Sequence, residues 1–262
     1  MVYRVPGMAA VRVTRDVIYR QGAHGPLGLD VYAPPDVTAG SRLPAVVFAI
    51  GYSDLGAVPR FGCAFKEVEA YVTWAQLVAA SGMIGITYLN EDPAPDLGAV
   101  LDYIAQNAAD LGVDVSRIGM WACSGNAPVA LSRLLHEARP AIVCAAFCYG
   151  LMLDGKEGWV SQAAQMFGFA HPCEGRTVAD LAPDVPLFIV RAGKDEIPHL
   201  NDTIDAFVAD GLARNLPLTI VNHANAPHSF DIVDDTDATR DVIERLLAFL
   251  RFNLREKRPV LR

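Results

Sequence analysis

From residue 43 onward, short apolar runs rich in Val, Ile and Ala alternate with longer stretches whose apolar residues recur at three- and four-residue steps. A run that is apolar at every position fits a strand covered on both faces, and the longer step fits a helix with one face on a core. The alternation therefore predicts βαβ units and a parallel sheet. Strands are predicted at 45–50, 83–88, 117–122, 141–148, 187–191 and 218–222, and helices at 66–80, 97–111, 127–137, 200–215 and 237–256. Asn201 and Asp237 stand near two helix starts as caps or first-turn acids. Ahead of this region, segments 11–19 and 27–32 flank Gly22, Gly25 and Pro26, which predicts an antiparallel hairpin at the sheet edge. The stretch 151–186 is too long for an ordinary connection and carries Trp159, Met166, Phe167 and Phe169. It reads either as a small cap insertion or as a surface helix whose aromatics fill the core. No repeat, low-complexity tract or linker divides the chain, so residues 1–262 are expected to form a single α/β domain with a doubly wound, mostly parallel sheet.

Composition narrows the setting. The chain is 52% hydrophobic with a mean hydropathy of +0.24, which suits buried strands and argues against disorder. The longest apolar run, 141–153, falls short of the roughly 18 residues a membrane span needs. Arg4 and Pro6 occupy the place where a secretory signal would carry its apolar region, so a cytoplasmic protein is expected. Five cysteines (Cys63, Cys123, Cys144, Cys148, Cys173) show no disulfide or zinc spacing and read as buried apolar residues, with no metal site expected. A net charge of −8 argues against a nucleic-acid partner, because phosphate binding needs concentrated Lys and Arg. Oligomeric state stays open, a homo-oligomer included.

Candidate chemistry begins at the segment Arg117-Ile-Gly-Met-Trp-Ala-Cys-Ser-Gly-Asn-Ala-Pro-Val-Ala-Leu, where a buried strand runs straight into a helical pattern with Ser124 at the junction. So sharp a turn strains its central residue and calls for small residues two before and two after it, here Ala122 and Asn126. The segment resembles the nucleophile elbow of the α/β-hydrolase superfamily, and within it the small serine esterases similar to dienelactone hydrolase and to the catalytic domain of prolyl oligopeptidase. This chain has Ala-x-Ser-x-Asn where the superfamily has Gly-x-Ser-x-Gly. The resemblance spans most of the chain and implies Ser124 as nucleophile. Cys123 is the rival, since dienelactone hydrolases use cysteine, but choosing it would put Trp121 where a small residue is needed. A simple helix N-cap is the bland alternative for Ser124.

A serine hydroxyl needs a base and a group that orients the base. The superfamily's order is serine, acid, histidine. Asp195 follows the strand 187–191 in Leu-Phe-Ile-Val-Arg-Ala-Gly-Lys-Asp, at the sheet edge where such folds keep their sites, with Glu196 beside it as a substitute. Of six histidines, only His223 and His228 follow the last strand. His228 lies in the loop beyond it and is followed by Ser-Phe, resembling the family's His-Gly-Phe; His223 remains at the strand end. The expected triad is Ser124, Asp195 and His228.

The resemblance also implies an oxyanion hole from two backbone amides, one at Gly125 and one at Tyr52, after Ile50-Gly51 where the family usually has His-Gly. Tyr52, Trp159 and Phe167 are the expected substrate-binding side chains. The expected function is hydrolysis of a small-molecule carboxylic ester through an acyl-enzyme, with no cofactor. Two alternatives stay open: a peptidase or amidase on small substrates, and an inactive hydrolase fold serving as a binding module.

Overall fold

The computed structural model describes residues 2–38, 40–136 and 142–256. The end of the predicted 127–137 helix and the first residue of the predicted 141–148 strand lie outside them. Eight strands form one mixed sheet: β1 (Arg12–Gln21), β2 (Pro26–Ala33), β3 (Leu43–Phe48), β4 (Ile84–Tyr88), β5 (Val113–Cys123), β6 (Cys144–Cys148), β7 (Leu187–Ala192) and β8 (Leu218–His223). Their order is β1-β2-β4-β3-β5-β6-β7-β8. The hairpin β1–β2 is antiparallel and sits at the edge as expected, β2 pairs antiparallel with β4, and every pair from β4 to β8 is parallel. The apolar runs of β3 and β6 are buried along their central positions, which requires cover on both faces.

That cover comes from helices α1 (Asp54–Phe61), α2 (Glu69–Ala80), α3 (Pro93–Gln106), α4 (Ala108–Leu111), α5 (Ala127–Ser132), α6 (Trp159–Phe167), α7 (Leu200–Ala213), α8 (Phe230–Val233) and α9 (Asp237–Asn253). The crossover from β3 to β4 runs across the sheet opposite to those that follow, and right-handed crossovers then put their helices on opposite faces. So α2 and α9 share one face, and α3, α5 and α7 the other. On the first face Trp74 of α2 packs on Trp121 of β5 with ring centres 5.1 Å apart, and Phe249 of α9 packs on Phe188 of β7 at 5.3 Å.

Three helices lie outside the five that the apolar pattern predicts: α1, α6 and the one-turn α8. In α1, Gly56 and Pro59 mask the periodicity. The helix is nonetheless capped, with the Leu55 N–H donating to Ser53 Oγ at 3.3 Å. The second, α6, lies within 151–186. The predicted 97–111 helix starts earlier, at Pro93, and breaks at Asn107; proline is tolerated in a first turn because its missing N–H has no helical acceptor there.

The chain leaves β3 for β4 on one side and returns to β5 on the other. The crevice beyond the carboxyl ends of β3 and β5 is thus a topological switch point, where open α/β sheets bind ligands. Gly51 and Ser124 stand at that crevice.

Candidate active site

Ser124 has φ 51°, in the left-handed region, a conformation that costs a non-glycine residue about 1–2 kcal/mol. Two bonds to the end of β6 hold it there: Ser124 N–H donates to the Tyr149 carbonyl and Leu151 N–H donates to the Ser124 carbonyl, both at 3.1 Å. A 3-10 turn, Ser124–Asn126, then leads into α5. The hydroxyl is thereby presented at the switch-point crevice, and the amide of Gly125, in the first turn, has no helical acceptor.

His228 Nδ1 and Asp195 Oδ2 are 2.6 Å apart. The Asp195 side chain is fully buried, and its Oδ1 accepts the Ile197 N–H at 3.0 Å. The turns carrying Asp195 and His228 are tied together by Gly193 N–H to the His223 carbonyl (2.9 Å) and Lys194 N–H to the Ala226 carbonyl (2.8 Å). Gly193 is required for that approach, since a Cβ there would lie 2.3 Å from the Ala224 carbonyl oxygen. His223 is instead bonded to Thr239 Oγ1 at 3.0 Å, and Glu196 is exposed. Ser124 and His228 line one cavity of 350 Å³, walled by Tyr52, Phe65, Tyr71, Trp121, Tyr149 and Phe167. Among the described residues no hydrogen bond joins Ser124 Oγ to His228. Burial pushes the neighbouring Cys123 thiol up to about 12, which keeps it neutral.

A polar layer behind the imidazole was invisible in the sequence. The Tyr149 ring meets the His228 ring edge-on at 4.8 Å. Its hydroxyl donates to Asp231 Oδ1 at 2.6 Å, and Trp74 Nε1 donates to Asp231 Oδ2 at 2.7 Å. Burial pushes the Asp231 carboxyl above its ordinary range, partly offset by those two donors. Tyr149 could have been found from its place at the carboxyl end of β6; nothing local marks Asp231.

Across the crevice, Gly51 touches the elbow: a Cβ on it would lie 2.4 Å from the Gly125 carbonyl oxygen. Gly51 N–H donates to Asn126 Oδ1, and Ala170 N–H donates to the Gly51 carbonyl, each at 2.7 Å. Tyr52 stacks on Phe65 at 5.4 Å and meets Phe169 edge-on at 5.9 Å. A Cβ on Gly125 would lie 2.6 Å from the Tyr52 hydroxyl oxygen, so that hydroxyl overhangs the elbow. Burial pushes the phenol up to about 12, leaving it a neutral donor.

Of the expected pocket side chains, Tyr52 and Phe167 line the cavity and Trp159 does not. Trp159 stacks flat on His199, ring centres 4.4 Å apart at 7°. The physical reason is that Trp159 opens α6 and Phe167 closes it, about 12 Å apart along the axis at 1.5 Å per residue. The segment 151–186 meets the site through Leu151 at its start and through Phe167, Phe169 and Ala170. A larger cavity of 510 Å³ lies against β1, β2, α3 and α4 and is lined by neither histidine nor cysteine. Among the described residues no group of three or more His, Cys, Asp or Glu is placed to hold a metal ion, and no helix is long and apolar enough to cross a membrane.

The sheet order, the helices on both faces and the strand-turn-helix at Ser124 are those of the α/β-hydrolase fold, and this chain has that fold. Solved structures of esterase 2 from Thermogutta terrifontis are similar to it throughout. The apo form is 18% identical, with 97% of this chain and 100% of that chain covered and a TM-score of 0.68. The propionate-bound form is 18% identical, with 96% and 98% covered and a TM-score of 0.65. The form phosphorylated by paraoxon is 19% identical, with 97% and 100% covered and a TM-score of 0.64. No protein family model matches the chain, and no curated protein matches it in sequence.

Proposed function

We propose that this protein is a serine hydrolase that cleaves small carboxylic esters through an acyl-enzyme, folded as a single domain and akin to the dienelactone hydrolase-like and prolyl oligopeptidase-like small esterases. The observation that carries the reading is the Asp195–His228 pair, 2.6 Å apart with the carboxylate fully buried, whose imidazole faces the same cavity as a serine held at φ 51°. Ser124 Oγ attacks the ester carbonyl as His228 Nε2 takes its proton, while Asp195 holds Nδ1–H and stabilises the imidazolium. The tetrahedral oxyanion is received by the amides of Tyr52 and Gly125, with the Tyr52 hydroxyl as a further donor. Collapse breaks the bond to the alcohol, which leaves with the proton from His228. Water, deprotonated by His228, then attacks the acyl-enzyme; the acyl–Oγ bond breaks, His228 returns the proton to Ser124 Oγ, and the acid is released. Protein groups alone supply these steps.

The aromatic walls and the 350 Å³ volume suit a compact acyl or alkyl group. The similar Thermogutta esterase has been seen with propionate and butyrate, which supports short acyl chains for this pocket as well. A fluorophosphonate probe tests the chemistry: it labels the wild type and not Ser124→Ala. No labelling of the wild type, or labelling that survives the substitution, overturns the reading. Turnover of short p-nitrophenyl esters but not of aminoacyl-nitroanilides separates esterase from peptidase.

A further inference from the structure

The residue that departs from the elbow motif, Asn126, does something a glycine there cannot. Its side chain bridges the two loops that flank the crevice. Oδ1 accepts the Gly51 N–H at 2.7 Å, and Nδ2 donates to the Cys123 carbonyl at 2.9 Å. That second bond settles which way the amide faces, because only the NH2 group can serve the carbonyl. Asn126 is 4% exposed and its bond to Gly51 is buried, where such a bond is strong and its loss leaves an unsatisfied group.

The Gly51 carbonyl and the Tyr52 N–H belong to one planar trans peptide and point in opposite directions. Ala170 N–H holds that carbonyl at 2.7 Å, and so aims the Tyr52 N–H the other way. Asn126 holds the Gly51 N–H, the preceding peptide. A glycine has little conformational preference of its own, and Gly51 is needed because a Cβ would strike the Gly125 carbonyl. The loop is therefore set by its partners at both ends.

We propose that Asn126 is a positioning residue of the oxyanion hole. It keys the Gly51–Tyr52 loop to the elbow, so that the amides of Tyr52 and Gly125 converge on one oxyanion, and the 151–186 segment completes the clamp through Ala170. This rests on the reading of those two amides as the oxyanion hole.

The test compares Asn126→Ala and Asn126→Gly with wild type on a p-nitrophenyl ester and on the matching thionoester, whose developing thiolate gains little from amide donors. The expected result is a loss in kcat on the order of 10²-fold on the oxoester, the size of effect seen when one oxyanion donor is disabled. KM and the pH midpoint of kcat/KM should stay at wild-type values, and the thionoester rate should change by less than about threefold. Ala170→Pro, which removes the donor at the other end of the clamp, should show the same selective loss, and it decides the matter if the Asn126 variants melt too early to assay. Equal losses on both esters, or oxoester rates within about threefold of wild type, overturn the positioning role. If the wild type neither turns over esters nor reacts with a fluorophosphonate, it is the reading of Ser124 that has failed, and the clamp falls with it.

Discussion

Asp195→Asn is the sharpest probe of the site. The carboxylate makes two bonds, Oδ2 to His228 Nδ1 at 2.6 Å and Oδ1 to the Ile197 N–H at 3.0 Å, with its side chain fully buried. An asparagine has one oxygen and one NH2. The Ile197 N–H is a fixed backbone donor, so the oxygen must turn to it and the NH2 must face Nδ1. Nδ1 is then an acceptor, and the imidazole proton moves to Nε2. That nitrogen now offers Ser124 a proton instead of accepting one. Loss of base function through such a tautomer change costs on the order of 10⁴ in kcat, about 5 kcal/mol at 1.36 kcal/mol per tenfold. Because packing and hydrogen-bond count are kept, KM and melting temperature should move little. Steady-state hydrolysis of p-nitrophenyl butyrate reads the loss, with Glu196→Gln as the control expected at wild-type rate. A loss in kcat of less than about tenfold, or an equal loss in the control, would refute the reasoning.

Other outcomes follow from the same geometry. Phe167→Ala should shift preference toward longer acyl chains by widening the cavity, whereas Trp159→Ala should leave preference unchanged and lower the melting temperature by removing its stack on His199; a p-nitrophenyl ester series and a thermal melt separate the two. Gly51→Ala forces a Cβ to 2.4 Å from the Gly125 carbonyl oxygen, and should cost about 1–3 kcal/mol of stability together with most activity, read by urea unfolding and ester turnover. The Cys123 thiol, pushed up to about 12, should be about 10⁻⁴ thiolate at pH 8, so iodoacetamide on the native protein should spare it and modify it only after denaturation, as peptide mapping would show.

The apolar rhythm of the sequence carried much of the architecture. Runs such as Ala45-Val-Val-Phe fit a strand covered on both faces, and the three-to-four step of 237–256 fits a helix with one face against that strand layer. Local motifs carried the triad candidates in the same way, because each sits where a strand ends. Where the local signal was masked, prediction failed: Gly56 and Pro59 hid α1, and an eight-residue spacing gave no hint that Trp159 and Phe167 part company across α6.

Asn126 draws the line between the two kinds of information. In the sequence it is a mismatch to a motif, a residue larger than the glycine expected beside a sharp turn. Its meaning depends on Gly51, 75 positions away in the chain and 2.7 Å away in space. The same holds for Tyr149 and Asp231 behind His228. Periodicity and turn chemistry act within a few residues and so are written along the chain. Which buried polar group meets which is decided only when crossovers bring distant strand ends to one edge of the sheet, and at that edge unpaired donors and acceptors must find each other or pay the cost of desolvation.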